Sequence, residues 1–145
     1  MTSKREQVLN TLYTKVKALE TPTLKVYRNL DKPQKVPAGG IVILRDGSGE
    51  EPEMLLSPLT YIYEHAVTME VMVQNSDSAT RDTTLDALLA NIGTIITSNR
   101  TLDGFAEWVE ARAPDFLEEP IEGAASLRVA TMNIMVRFFT SDPLN

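Results

Sequence analysis

The 145-residue sequence predicts an α+β fold: an antiparallel sheet of about four strands, two of them forming a long β-hairpin, packed on one face by two to three helices. Three patterns carry this reading. From Thr60 to Gln74 a mainly apolar set of odd positions alternates with a more polar even set, the period of a strand with one buried face. The same alternation returns in LRVATMNIMVRFF, residues 127–139. Between and before these strands, Val8, Leu9, Leu12, Val16 and Leu19, then Leu85, Leu88, Leu89, Ile92, Ile95 and Ile96, fall on single helical stripes.

Taken in order, Ser3-Lys-Arg-Glu6 has capping-box spacing and opens the first helix, which ends before Thr21-Pro22 because proline has no amide hydrogen and restricts the residue before it. TLKVYRN then reads as a short strand and the proline- and glycine-rich DKPQKVPAGG as a loop. GIVILRD, residues 40–46, is a β-branched strand; Gly47-Ser-Gly49 is expected to turn the chain, so that PEMLLS pairs back as the second arm of a hairpin and Pro58 ends it. The Thr60–Gln74 strand exceeds the usual strand length and offers an edge to a neighbour. NSDSATRD caps the second helix, Thr101-Leu-Asp103 starts a third and shorter one carrying Phe105, Trp108 and Val109, and APDFLEEPIEGAAS is expected to be a loop. The closing strand puts Ala130, Met132, Ile134, Val136 and Phe138 on one face, with Arg128, Thr131, Asn133 and Arg137 mostly on the other. No repeat or linker divides the chain, so residues 1–145 form one domain.

Composition excludes several classes of function. With 43% hydrophobic and 23% charged residues the chain is of ordinary globular type, and the absence of cysteine excludes a disulfide scaffold, thiolate zinc and thiol catalysis. The N-terminus MTSKREQVLN is charged where a secretory signal is apolar, and no run approaches the roughly 20 apolar residues of a membrane span, so a soluble protein is expected. A formal charge of −6 repels a phosphate backbone and argues against tight nucleic-acid binding.

No catalytic, cofactor or metal site is predicted. His65, the single histidine, takes its place in the strand alternation, and no second histidine or cysteine completes a metal set. Ser57 before Pro58 sits in no nucleophile-elbow pattern. The carboxylate pairs Glu50–Glu51, Glu64–Glu70 and Glu118–Glu119 read as solvated surface. AGG at 38–40 and DGSG at 46–49 match neither a P-loop nor a dinucleotide fingerprint, and Asn99-Arg-Thr101 reads as a helix cap. What remains is a surface: Leu55, Leu56, Tyr61 and Tyr63 concentrate around the hairpin, with His65 beside them, and aromatic and aliphatic residues so placed suit a subunit interface. Sheet edges would be satisfied by pairing between subunits.

Almost the whole chain resembles the tail terminator and minor tail proteins of long-tailed bacteriophages, prophages and gene transfer agents. The resemblance runs through REQVLNTLYTKVKAL, LKVYRNLDKPQKVPAGGIVILRDG, PLTYIYEHAVTMEVMVQ, RDTTLDALLANIG and the terminal RFFTSDPLN. It implies a protomer, assembled in the host bacterial cytoplasm, that joins the virion as a hexameric ring on the head-proximal end of the tail. There it would stop polymerisation of the tail tube protein and present a surface to the head-neck connector. The family lends no catalytic residue. A domain of this length has a diameter of roughly 38 Å, and six in a ring leave a hole through which a DNA duplex can pass without specific binding. Glu64 and Glu70 are then candidates for an acidic lumen. The alternatives are another tail-completion, neck or tail-tube component, or a small acyl- or coenzyme A-related enzyme, which would need a pocket with convergent polar groups.

Overall fold

The computed structural model describes residues 2–32, 35–119 and 125–145. In chain order its elements are α1 (Lys4–Lys17), β1 (Leu24–Arg28), β2 (Gly40–Gly49), β3 (Glu53–Leu56), β4 (Leu59–Asn75), α2 (Ser78–Ser98), β5 (Trp108–Ala111), β6 (Asp115–Glu119) and β7 (Ser126–Thr140). All strands join one sheet of order β1-β2-β4-β7-β5, with β3 beside β4 and β6 beside β7. The architecture is the expected α+β arrangement with both helices on one face.

The seven strands occupy five lines. β2 and β3 run in one line antiparallel to β4, with Ile41 opposite Met72 at one end and Leu56 opposite Leu59 at the other. β5 and β6 likewise run in one line along β7, from Trp108 opposite Arg137 to Glu119 opposite Leu127. Each line flanking the central β4–β7 pair is broken at a proline, Pro52 or Pro114, which cannot donate to a ladder. The first break lies opposite residues 63–64 of β4. The second lies opposite residues 132–133 of β7, which pair with residues 68–69 of β4.

Several details differ from the sequence reading. Gly47-Ser-Gly49 does not turn the chain but forms a bulge, where the register shifts between Arg45 and Ser48. Gly47 has φ +66° and its backbone lies against the carbonyl of Ala66. The hairpin turns instead at Ser57-Pro58, a cis peptide that closes the two-residue link between Leu56 and Leu59. Residues 101–109 do not form the expected third helix, because Leu102, Asp103 and Gly104 all take positive φ, which a right-handed helix cannot accommodate. The Asn99 side chain holds that loop through Asp103, while Leu102 is buried in the core. DFLEE is a strand rather than a loop, and residues 120–124 of the segment lie outside the described residues. The sheet is not wholly antiparallel, since β1 pairs with β2 in parallel.

The core lies between the sheet and the helices. Val67, Met69 and Val71 of β4 and Ile134, Val136 and Phe138 of β7 are buried beneath Val8, Leu12 and Val16 of α1 and Leu85, Ile92 and Ile96 of α2. Each such side chain contributes about 1.5–3 kcal/mol on leaving water. Arg128 shares this face instead of the opposite one, because its register partner is Val73, and it pairs with Asp82 of α2. Ile41 and Ile43 point to the other face yet are also buried, under the segment between β1 and β2. This accounts for the unbroken apolar run GIVIL, which has no wet side.

The two contrasting glycines give a test. A Cβ on Gly47 would sit 1.9 Å from the Ala66 carbonyl oxygen, whereas one on Gly93, inside α2, meets nothing. In urea denaturation Gly47→Ala is expected to lower stability by about 2–4 kcal/mol, and Gly93→Ala to raise it by about 0.5–1 kcal/mol.

Candidate functional site

A cluster of exposed apolar side chains lies at the end of the hairpin. Met54, Leu55, Leu56 and Leu59 are 51%, 49%, 79% and 45% exposed, far from the usual state of such side chains. Register puts Met54, Leu56 and Leu59 on the helix side of the sheet and Leu55 on the open side, so the tip is apolar on both faces. Glu50, Glu51 and Glu53 are exposed beside it. From Asp46 through Thr80 the sequence holds no lysine or arginine, so the tip is acidic as well as apolar.

The other residues expected near an interface lie deeper. Tyr61 is half-buried against the core. Tyr63 is buried, stacked on Phe138 at 5.4 Å between ring centroids, with the Arg5 guanidinium over its ring. His65 is 3% exposed and its Nε2 lies 2.5 Å from the carbonyl oxygen of Asp46. A carbonyl only accepts, so Nε2 carries the proton and donates. Nδ1 is buried without a partner, next to Gly49. Neither nitrogen is open to a substrate, and Ser57 lies out at the hairpin turn.

Glu64 and Glu70 occupy the open face, each facing an arginine: Arg137 at 2.8 Å and Arg45 at 3.3 Å. Their charge is therefore compensated in place. Glu118 binds the buried Arg81 at 2.5 Å, and the Glu119 side chain lies outside the described residues. Among the described residues no group of three histidine, cysteine or acidic side chains is placed to hold a metal, and no helix is long and apolar enough to cross a membrane.

Two features were not foreseen from the sequence. The first is an ionic knot at the base of the hairpin. Arg28 of β1 binds both carboxylate oxygens of Glu6 at 2.7 and 2.9 Å and Asp46 at 2.9 Å, tying α1, β1 and β2 together. Glu6 therefore completes only half of the capping box: its amide binds Ser3 while its carboxylate is given to Arg28. The hydrogen bonds from Arg28 hold Glu6 below the usual carboxylate range against the opposing effect of burial. For Asp46, burial pushes upward, but the bonds from Arg28 and Asn29 outweigh it and the net displacement is downward. Only the spacing of an acid, a base and an acid across three elements could have signalled this, and no periodicity reveals it.

The second feature is a recess of about 350 Å³ on the open face. Ile41, Ile43, Met72 and Leu127 form its floor, and Leu30 and Val36, from the segment between β1 and β2, form its wall. Asp31, Lys32, Arg45 and Glu70 stand at its edge.

No family model matches the chain, and no curated protein matches it. Among solved structures, a chain in the virion of a native gene transfer agent particle is similar over 92% of this chain and 95% of its own, with a TM-score of 0.49 and 12% sequence identity.

The knot and the histidine lead to separate expectations. Because Glu6 and Asp46 are displaced downward on folding, their pairing stabilises the fold above the unfolded carboxylate pKa of about 4, and the contribution is lost as pH falls through the folded values. Arg28→Met is expected to cost about 1–2 kcal/mol at pH 7, the carboxylates being partly screened by solvent. That difference from the unaltered protein should shrink below pH 4 in denaturation curves. His65→Leu leaves the Asp46 carbonyl unpaired and should cost about 1–3 kcal/mol while leaving the mass in light scattering unchanged; a lost oligomer with an intact fold would instead place His65 at an interface.

Proposed function

We propose that this chain is a virion assembly protein of a phage, prophage or gene transfer agent, a tail terminator whose copies close into a ring at the head-proximal end of the tail. The observation that carries this reading is the hairpin tip. Four large apolar side chains standing in water beside three free carboxylates serve no purpose in an isolated protomer, and exposed apolar clusters of this kind mark contact surfaces. The near end-to-end resemblance of the sequence to tail terminators supplies the kind of assembly. The chemistry of the interior agrees, since His65 is committed to a backbone carbonyl and the open-face carboxylates to arginines.

In this reading Leu55 and Leu56 make the contact between protomers, with Tyr61 at its margin and Tyr63 and His65 supporting the hairpin from within. Six copies leave a passage for DNA, toward which Glu64 is directed. Since Glu64 is balanced by Arg137, the passage is close to neutral there and offers DNA little to bind.

Light scattering followed by negative-stain imaging tests the proposal. Closed rings of about six subunits are expected; stacked rings of growing length would identify a tube component, and a strict monomer at all concentrations, joined by no ring on added tails, would overturn the assembly reading. Leu55→Glu with Leu56→Glu is expected to reduce the oligomer to protomers while circular dichroism keeps its helical signal, because neither side chain belongs to the core.

A further inference from the structure

We propose that the hairpin tip of one copy docks in the open-face recess of the next, so that the two surfaces described above are complementary halves of one joint. The inference rests on the assembly reading and names the surfaces that would execute it.

Three observations converge. The first is chemical shape. The tip offers leucines on both of its faces, and the recess floor is aliphatic. A void of about 150 Å³ already takes a benzene-sized group, so a recess of about 350 Å³ has room for more than one leucine side chain.

The second is charge. In a chain of net charge −6 the surroundings of the recess run against the average. Arg45 and Glu70 pair with each other there. That leaves Lys32 at the edge, Lys25 opposite Ile41 on the same face and Lys35 next to Val36, against Asp31. Glu50, Glu51 and Glu53, with no basic residue among their neighbours in sequence, match those three lysines in number and oppose them in sign. Such matching adds orientation and encounter rate to the contact.

The third is reach. Leu59 at the tip and Met72 at the recess lie on the same strand, thirteen residues apart at about 3.3 Å each, so the two sites are about 43 Å apart. Tip and recess thus lie toward opposite ends of the protomer, too far apart to meet within one copy, and only a neighbouring copy can bring them together. The contact is heterologous, since each copy gives one surface and receives the other, and such contacts close into rings or propagate. Docking also turns Glu70 toward the neighbouring tip, leaving Glu64 for the passage.

The absence of cysteine makes the joint directly testable. Leu56→Cys and Lys32→Cys are prepared separately, mixed and oxidised in air. The expected product is the mixed disulfide dimer, several-fold in excess over either like pair; a mixed product at or below the statistical share overturns the docking. In parallel, Glu50, Glu51 and Glu53 changed together to lysine should reduce the oligomer to protomers, as should Lys25, Lys32 and Lys35 changed to glutamate. Mixing the two should restore heterotypic assembly, and either reversal alone keeping its full mass counts against the joint. The two readings fail differently. Closed rings without enriched mixed disulfide retain the ring and overturn the joint, whereas enriched mixed disulfide with a mass that grows without limit retains the joint and overturns the ring.

Discussion

The ladder between β4 and β7 is the constraint on which the rest depends. Every residue from Tyr61 to Asn75 has a partner between Thr140 and Ser126, and both strands are flanked on their outer sides except at the proline breaks and the bulge, so most of their backbone groups are satisfied. On one face the paired side chains, from Tyr63 against Phe138 to Val71 against Ala130, are the floor on which both helices rest. On the other the pairs are mixed, from Glu64 against Arg137 and Thr68 against Asn133 to the apolar Ile62 against Phe139 and Met72 against Val129. A one-residue slip would exchange these two sets, burying Glu64 and Glu70 and exposing Val67 and Met69, so the hydrophobic pattern and the register enforce each other.

Charge is distributed with the same economy. The arginines within the fold are used as ties: Arg28 between α1 and β2, Arg81 between α2 and β6, Arg45 and Arg137 across the open face. Lys17, Lys25, Lys32 and Lys35 lie in or beside β1 and the segment that follows it, and the hairpin tip has neither lysine nor arginine. A protomer with modest net charge thus carries two ends of opposite character, which a heterologous assembly needs and an isologous dimer does not.

Sequence patterns revealed the elements whose residues answer to a single period. The strands β4 and β7 and the stripe of α2 were legible because one face of each is buried along its length. Elements defined by partners distant in sequence were not. Gly47 and Gly49 look like a turn in isolation, and only the close approach of the Ala66 carbonyl makes them a bulge. Leu102 has a helical neighbourhood but a left-handed backbone, since its side chain must reach the core through a loop tied by Asn99. DFLEE hid because Asp115 faces solvent and Glu118 is given to Arg81, while Phe116 and Leu117 remain half in water. At the candidate site, Leu55 and Leu56 stood out as apolar residues at a turn, whereas the recess depends on a crossing segment that no local pattern encodes. The role of His65 depends on a carbonyl nineteen positions away.

The two proline breaks in the lines flanking the central pair have a mechanical consequence. They lie opposite different stretches of the central pair, residues 63–64 and 68–69 of β4, so they are staggered like joints in brickwork. No line across the sheet meets both gaps, and bending cannot concentrate at a hinge. β7 accompanies β4 as far as Tyr61, leaving only the final turn to overhang. The hairpin is thus a stiff lever whose direction is fixed by the twist of the sheet. Whatever it grips is held at an angle written into the strands themselves, and the curvature of any assembly becomes a property of the protomer's interior rather than of its surface.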